Sequence, residues 1–210
     1  MSGGDDGTVR CWDVSTGEAV AVLGKHEDRV RAGVTSPASP DVWASAGYDN
    51  KIRVWDVRAK YVSLKTCRSN MSRTNVLSPT RECIKVLDHG HQVEDLLFYP
   101  SGGVLVSAGD NVVKIWDVLG GFNVLDTLTA HQKTVMSLAL DSTRTRLFTA
   151  GADQLVKIYD TTSYKVTHTI KYQAPIMSIA VSVSPPCYNI NAIVAHLCAA
   201  QQHALDHWYE

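Results

Sequence analysis

Residues 49–56, Asp-Asn-Lys-Ile-Arg-Val-Trp-Asp, are one of four copies of the same short segment in this chain. The other copies are residues 6–13, 110–117 and 153–160. Each copy begins with an aspartate and ends with an aromatic–aspartate pair, and Tyr159 takes the place of tryptophan in the last one. The aromatic residues are 43, 61 and 43 positions apart. A unit that recurs every ~40–45 residues indicates a fold built from successive, similar β-sheets.

The sequence around each copy predicts the strands of one such sheet. Short runs with apolar residues at alternate positions are separated by Asp, Asn and Gly turns, which is typical of antiparallel strands. Four strands per unit correspond to one blade of a β-propeller. We therefore predict an all-β fold, a partial propeller of three full blades plus fragments, whose ring stays open. The predicted units are 1–23, 24–88, 89–129, 130–171 and 172–181, which together form a domain over residues 1–181.

Three histidines share the phase of the repeat. His26, His89 and His131 each stand four residues before a valine and 21 to 23 residues before the turn aspartate. A catalytic histidine–aspartate pair would need a nucleophile in the same phase. Three hydroxyl residues do share it, namely Ser45, Ser107 and Thr149. A group that recurs in every blade is nevertheless scaffold, because an active site occurs once, so we expect a structural role.

Composition excludes several classes of function. With 20 basic and 21 acidic residues the formal charge is −1, which does not indicate a nucleic-acid or membrane-surface protein. The polar, acidic start is no secretory signal, and no apolar run reaches the ~18–20 residues that span a bilayer. Five scattered cysteines without a CxxC pair favour a reducing compartment, hence the cytoplasm or nucleus. Without a phosphate loop or a G-x-S-x-G motif, we expect neither an enzyme nor a cofactor.

An insertion at 59–81 interrupts the second predicted blade. It is rich in Ser, Thr and Asn and has no acidic residue. One interpretation is a basic, phosphorylatable loop that contacts RNA or an acidic partner. The other is a translated intron or alternative exon, which we favour because the repeat continues regularly once the segment is removed.

The tail at 182–210 carries no repeat. Apolar residues recur at helical spacing between Ala192 and Trp208, so the sequence predicts a C-terminal helix there. Three histidines on that helix, His196, His203 and His207, have the spacing of zinc ligands. Because the glutamate of the metalloprotease motif is missing, we predict no metal site. Together with Met1, this tail suggests a truncated product of a longer gene.

The repeated residues resemble the WD-repeat family over about residues 2–181. That resemblance implies a hydrogen-bonded tetrad in each blade, made by the histidine, a Ser or Thr, the turn aspartate and the third-strand aromatic residue. The implied tetrads are His26, Ser45, Asp49 and Trp55; His89, Ser107, Asp110 and Trp116; and His131, Thr149, Asp153 and Tyr159. Ser107 is one residue closer to its aspartate, so the third-blade turn is expected to be one residue shorter. In the last tetrad a phenol replaces the indole donor.

Propeller geometry places partner contacts on the face formed by the tight turns and by the loops before the inner strands. Candidate contact residues there are Arg29, Arg31, Tyr48, Gln92, Lys133 and Gln154. The three cations among them are too scattered to form a basic stripe for nucleic acid.

Several runs narrow the resemblance to one family. The most specific are Tyr99-Pro-Ser-Gly-Gly103 and Thr161-Thr-Ser-Tyr-Lys-Val166. They look like the family of U-three small nucleolar RNA-associated protein fifteen, a WD-repeat subunit of the small-subunit processome. The resemblance implies a non-enzymatic scaffold in the nucleolus that supports pre-rRNA transcription and processing toward 18S rRNA. The implied partners are sister WD-repeat subunits and, indirectly, the U-three ribonucleoprotein and pre-rRNA, with no membrane.

Two alternatives remain open from the sequence. Residues 55–58, Trp-Asp-Val-Arg, match a W-D-x-R element that resembles substrate receptors of cullin-type ubiquitin ligases. A four-residue match of this kind is weak, because Arg58 also fits a solvated strand end. The second alternative is a truncated product without function.

Overall fold

The protein is all-β across the residues that the computed structural model describes, which are 1–57, 83–181 and the strand at 193–197. The strands are β1 (Ser2–Gly3), β2 (Thr8–Trp12), β3 (Ala19–Lys25), β4 (Val30–Ser36), β5 (Ser39–Gly47), β6 (Lys51–Asp56), β7 (Cys83–Asp88), β8 (Asp95–Phe98), β9 (Val104–Gly109), β10 (Val112–Asp117), β11 (Asn123–Leu128), β12 (Val135–Leu140), β13 (Arg146–Gly151), β14 (Leu155–Asp160), β15 (Val166–Lys171), β16 (Ile176–Val181) and β17 (Ile193–Leu197). No helix occurs in these ranges.

The strands form five antiparallel sheets, which we call blades 1 to 5. Blade 1 is β1-β2-β3, and blades 2 to 4 are the four-stranded sheets β4 to β7, β8 to β11 and β12 to β15. Blade 5 is the pair β16-β17. The five sheets follow one another in chain order and do not close into a ring within the described residues. The predicted partial, open propeller is therefore confirmed.

Apolar residues on the facing sides of neighbouring blades fill the spaces between them. In β6, Ile52 and Val54 are fully buried, and Trp55 on the opposite face is also buried. Ile52 packs into the core between blades 2 and 3, while Trp55 packs with Val9 and Leu23 of blade 1. Blades 2, 3 and 4 are thus each held by two neighbours, because two-sided burial of β-branched and aromatic residues stabilises strands.

A β-bulge recurs at one position in four blades. The register between the last two strands of the blade shifts immediately before the aromatic residue of the repeat, at Trp12, Trp55, Trp116 and Tyr159. A bulge of this kind bends the strand and increases its local twist.

The predicted C-terminal helix is wrong over its described part. Residues 193–197 form β17, which pairs antiparallel with β16, so that Val181 lies opposite Ile193. Ile193 and Val194 are β-branched, and the edge of β16 offers backbone pairing that overrides the helical spacing. The insertion at 59–81, Arg58 and the rest of the tail lie outside the described residues.

Candidate functional site

In blade 2 the structure brings the four predicted tetrad residues together. His26 Nδ1 lies 2.9 Å from Asp49 Oδ2, and His26 Nε2 lies 2.8 Å from Ser45 Oγ. Trp55 Nε1 donates to the same Ser45 Oγ at 2.8 Å. Nδ1 therefore donates to the carboxylate, while Nε2 accepts the Ser45 hydroxyl proton. The result is a buried chain of hydrogen bonds that links the loop before β4 to β5 and β6.

The electrostatics of this network keep the aspartate charged and the histidine neutral. Burial lowers the pKa of His26, and the neighbouring Asp49 offsets only part of that effect. Burial alone would raise the pKa of Asp49, but hydrogen bonds from His26 and from the amides of Glu27 and Lys51 bring it below its ordinary value. Those two amides lie 3.2 and 3.1 Å from the carboxylate. Arg53 adds a weaker contact at 3.6 Å.

Blade 4 joins three of the four predicted tetrad residues. His131 Nδ1 lies 2.9 Å from Asp153 Oδ2, and His131 Nε2 lies 2.6 Å from Thr149 Oγ1. Tyr159 is buried, but its hydroxyl has no hydrogen-bond partner among the described residues. Burial raises its pKa to about 12, and nearby Thr149 offsets part of this. The phenol of Tyr159 does not take over the hydrogen bond of the indole. Its hydroxyl lies at the far end of the ring, whereas the indole N–H lies at the side of its ring.

Blade 3 departs from the predicted tetrad. His89 Nδ1 lies 2.9 Å from Ser107 Oγ, and Trp116 Nε1 donates to the same oxygen at 2.8 Å. The carboxylate of Asp110 is half exposed and lies 3.6 Å from His91, away from His89. His89 Nε2 is consequently buried without a hydrogen-bond partner among the described residues, and burial lowers the pKa of His89 to about 4. The prediction that Asp110 belongs to the blade 3 tetrad is therefore wrong.

The shorter turn explains this departure. In blades 2 and 4 the left-handed residue follows the aspartate, at Asn50 with φ 62° and at Gln154 with φ 70°. In blade 3 the aspartate itself is left-handed, with φ 51° at Asp110. Residues Gly109 and Val112 pair directly, so only two residues make the turn. Because the blade 3 turn is one residue shorter, the positive φ falls on Asp110 itself, and its side chain points outward.

The predicted contact residues lie on one face, which we call the turn face. The loop before each inner strand meets the tight turn of its blade there, since the amide of Tyr48 donates to the carbonyl of Arg29 at 3.0 Å. Four of the candidates are exposed and two are half-buried. The exposed ones are Arg29, Arg31, Gln92 and Lys133, and the half-buried ones are Tyr48 and Gln154.

Sequence reasoning missed the partner of Arg31. Arg31 Nε donates to Glu94 Oε2 at 3.0 Å, which links the inner-strand regions of blades 2 and 3. This hydrogen bond also raises the pKa of Arg31. A signal was present, because Arg31 and Glu94 each directly follow the valine that is in phase with the histidines.

A half-buried carboxylate on the inner strand of blade 3 was also missed. Asp95 Oδ2 accepts from the amide of Leu138 at 2.7 Å and from Ser137 Oγ at 3.3 Å. Ser137 Oγ in turn accepts from the amide of Ile179 at 3.4 Å. Burial raises the pKa of Asp95. The inner strands of blades 3, 4 and 5 are thus joined around the centre of the propeller.

The described ranges also bear on metal sites and membranes. Within 1–57 and 83–181, no three His, Cys, Asp or Glu residues lie close enough to hold a metal ion. In the same part of the chain, no helix has the length and apolar character needed to cross a membrane. The side chain of His196 and residues 203 and 207 lie outside it.

The repeats define the class of protein. Residues 17–56, 81–117 and 122–160 match the family described as "WD domain, G-beta repeat". The three matches cover more than half of the chain. Each runs from the outer strand of one blade through the third strand of the next, over β3 to β6, β7 to β10 and β11 to β14. This chain belongs to the WD-repeat family.

Individual relatives share most of this chain. It is 41% identical over 182 residues, 87% of its length, to "U3 small nucleolar RNA-associated protein 15 homolog" of Xenopus tropicalis, of which it covers 31%. It is 51% identical over 96 residues, 46% of its length, to the protein of the same name from Rattus norvegicus, of which it covers 18%. It is 35% identical over 185 residues, 87% of its length, to "Protein SLOW WALKER 1" of Arabidopsis thaliana, of which it covers 31%. The chain thus spans about a third of the length of the Xenopus and Arabidopsis relatives.

Proposed function

We propose that this chain acts as a non-enzymatic scaffold in ribosome biogenesis, within the small-subunit processome. In that role it supports pre-rRNA transcription and processing toward 18S rRNA, in the nucleolus. The observation that carries the proposal is the 41% identity over 182 residues to a protein named for association with U3 small nucleolar RNA. The domain division that goes with this role is a propeller over residues 1–181, with 182–210 as a separate tail.

The geometry supports a scaffold because the buried polar side chains of the repeat form hydrogen bonds that stabilise the blades. The histidines that share the repeat are bonded inside their own blades, as His26 is to Ser45 and Asp49. The turn face, by contrast, leaves side chains such as Arg29, Gln92 and Lys133 exposed. Exposed polar groups on a rigid platform suit protein–protein recognition.

The partners that we propose are sister WD-repeat subunits of the processome, contacted through the turn face. The U-three ribonucleoprotein and pre-rRNA would then be bound indirectly. One contact on the turn face agrees with this, because the charge of Arg31 is already compensated by Glu94 at 3.0 Å.

The test is affinity recovery of the tagged chain from cells, with and without nuclease, followed by identification of the associated proteins and RNA. We expect processome subunits to be retained after nuclease, and U-three RNA and 5′ pre-rRNA to be lost. Recovery of a cullin adaptor would favour the W-D-x-R interpretation. Recovery of chaperones alone would contradict a scaffold role for this chain.

A matched pair of charge reversals locates the contact. Lys133 lies on the turn face and Lys165 on the opposite face, where the amide of Thr161 donates to the carbonyl of Thr145 at 3.0 Å. Both lysines are exposed. We expect Lys133→Glu to reduce recovery of processome subunits and Lys165→Glu to leave it unchanged. The opposite pattern would move the contact surface to the other face.

A further inference from the structure

The charge of this chain is unevenly distributed among its blades. Residues 130–181, which include blade 4 and β16, contain six basic and three acidic residues. Residues 1–57 and 83–129, which include blades 1 to 3, contain eight basic and fifteen acidic residues. A negatively charged partner is therefore attracted to blade 4 and repelled by the other blades.

Three cations of blade 4 lie on the face opposite the turn face, which we call the loop face. Arg144 lies in the turn between β12 and β13, Arg146 begins β13, and Lys165 directly precedes β15. All three are exposed, and within the described part of the chain none of them makes an ion pair. The hydroxyl of Thr161 donates to the carbonyl of Arg144 at 3.0 Å, so the two turns form one surface.

The two carboxylates of these turns are already hydrogen-bonded. Asp141 Oδ2 accepts from Thr143 Oγ1 at 2.5 Å, and Asp160 Oδ1 accepts from the amides of Thr162 and Ser163 at 3.0 and 2.8 Å. The bonds from Thr143 and Ser163 contribute most to holding the pKa of each aspartate below its ordinary value. Each carboxylate is thus held within its own turn, and the three cations remain available to an external acceptor.

The neighbouring loops of blades 2 and 3 carry no charged side chain on the loop face. Three loops share this property, namely residues 36–40, 99–103 and 118–122. Pro37 and Ala38 are exposed, and Leu119 is 86% exposed although it packs against Gly103. An exposed apolar patch of this kind is a common feature of interaction surfaces.

The apolar loops and the cations belong to one continuous surface. A side chain at Gly102 would clash with Ala38, so the loops of blades 2 and 3 touch. Tyr99 and Tyr164 pack against the same core between blades 3 and 4, which brings the loop at 99–103 beside the turn that ends at Lys165. The loop face therefore presents an uncharged, apolar part on blades 2 and 3 next to a cationic part on blade 4.

We propose that the loop face of blades 2 to 4 binds an acidic, amphipathic segment of a partner protein. The carboxylates of the segment pair with the cations of blade 4, and its apolar side chains cover Pro37, Ala38 and Leu119. The uncharged part favours a protein over RNA, because affinity for a phosphate backbone comes from neutralised charge, to which these loops contribute nothing. This partner is additional to the subunits that we propose for the turn face.

The probe is a fluorescein-labelled peptide of four Glu-Glu-Leu repeats, and its binding to the 210-residue chain is followed by fluorescence anisotropy. We expect saturable binding that weakens as the salt concentration rises, because exposed ion pairs are screened. A peptide of four Lys-Lys-Leu repeats should not bind. A peptide of four Glu-Glu-Ser repeats should bind about fivefold more weakly, because the apolar contact is lost.

Variants of the chain provide the matched comparison. Arg144→Glu combined with Lys165→Glu should weaken peptide binding about tenfold, and Leu119→Ser should weaken it about fivefold. Lys133→Glu, on the turn face, should leave binding unchanged. These side chains are exposed, so an unchanged urea midpoint shows that each variant is folded. Because Lys133→Glu and Lys165→Glu have the reverse expected effects on recovery of processome subunits, failure of this proposal is distinguishable from failure of the proposed function.

Three results would overturn the proposal. The first is no saturable binding at millimolar Glu-Glu-Leu peptide. The second is binding that the turn-face variant Lys133→Glu weakens as much as the loop-face variants do. The third is tighter binding of a twelve-nucleotide oligouridylate than of the peptide, which would assign the loop face to RNA.

Discussion

Replacing Asp49 by alanine should destabilise the propeller far more than replacing Asp110. The Asp49 side chain is 1% exposed and accepts from His26 and from two backbone amides. Removing it leaves a buried imidazole donor unpaired, at about 2–3 kcal/mol, and weakens two backbone contacts by about 0.5 kcal/mol each. The expected loss in the free energy of unfolding is therefore about 3–4 kcal/mol.

Asp110 is the internal control because it holds the same position in the repeat. Its carboxylate is 52% exposed, and its ion-pair partner is the half-exposed His91 at 3.6 Å. Loss of such a surface carboxylate alone costs less than about 0.5 kcal/mol, and alanine at the positive φ of Asp110 adds about 1 kcal/mol of backbone strain. The expected loss for Asp110→Ala is therefore about 1–1.5 kcal/mol, well below that for Asp49→Ala. Asp153→Ala should behave like Asp49→Ala, since Asp153 binds His131 in the same way.

The assay is equilibrium unfolding in urea, followed by circular dichroism at pH 7 for the parent chain and the three variants. A lower midpoint at an unchanged slope measures the loss of stability. Equal destabilisation by Asp49→Ala and Asp110→Ala would refute the reasoning, because it would place Asp110 inside a tetrad or show that the tetrads contribute nothing.

Three further predictions concern other polar groups inside the blades. The pKa of His89 falls from 6.5 to about 4 on folding, so its contribution to the free energy of unfolding is complete above pH 6.5 and declines by about 3 kcal/mol as the pH falls to 4. Urea unfolding measured between these pH values should show the decline. The His89→Gln variant should lack the share of the decline that His89 causes. Tyr159→Phe removes a buried, unpartnered hydroxyl and should leave the free energy of unfolding unchanged or raise it by about 1 kcal/mol, whereas a loss above 1.5 kcal/mol would show that the hydroxyl is bonded. Asp95→Ala should cost about 2 kcal/mol and speed hydrogen exchange at the Leu138 amide; unchanged exchange there would contradict the bridge between blades 3 and 4.

The strands of the repeat could be predicted because their signal is local. Residues 51–56 alternate in the pattern of a strand, and the turn at Asp49-Asn50 fixes where that strand begins. The same locality misled the prediction at 193–197. There the helical spacing is intrinsic to the sequence, whereas strand pairing depends on an edge that β16 provides.

The sites depend on geometry that a repeat pattern does not contain. A turn one residue shorter was visible in the sequence, but its effect on Asp110 follows from which residue takes the positive φ. The bonds of Glu94 and Asp95 reach neighbouring blades, so they depend on how the sheets are arranged. Tyr159 shows that a conservative aromatic exchange can keep the packing of a site and lose its hydrogen bond.

The recurring bulge bears on how this protein avoids aggregation. The outer strands β3, β7, β11 and β15 are sheet edges, and they carry exposed apolar residues, among them Val20, Ile84, Val124 and Val166. A flat edge of this composition is a template for stacking with other chains. The bulge before each repeat aromatic residue increases the twist of every outer strand. The edge that a neighbouring molecule contacts is therefore curved, and few backbone hydrogen bonds can form along it at once.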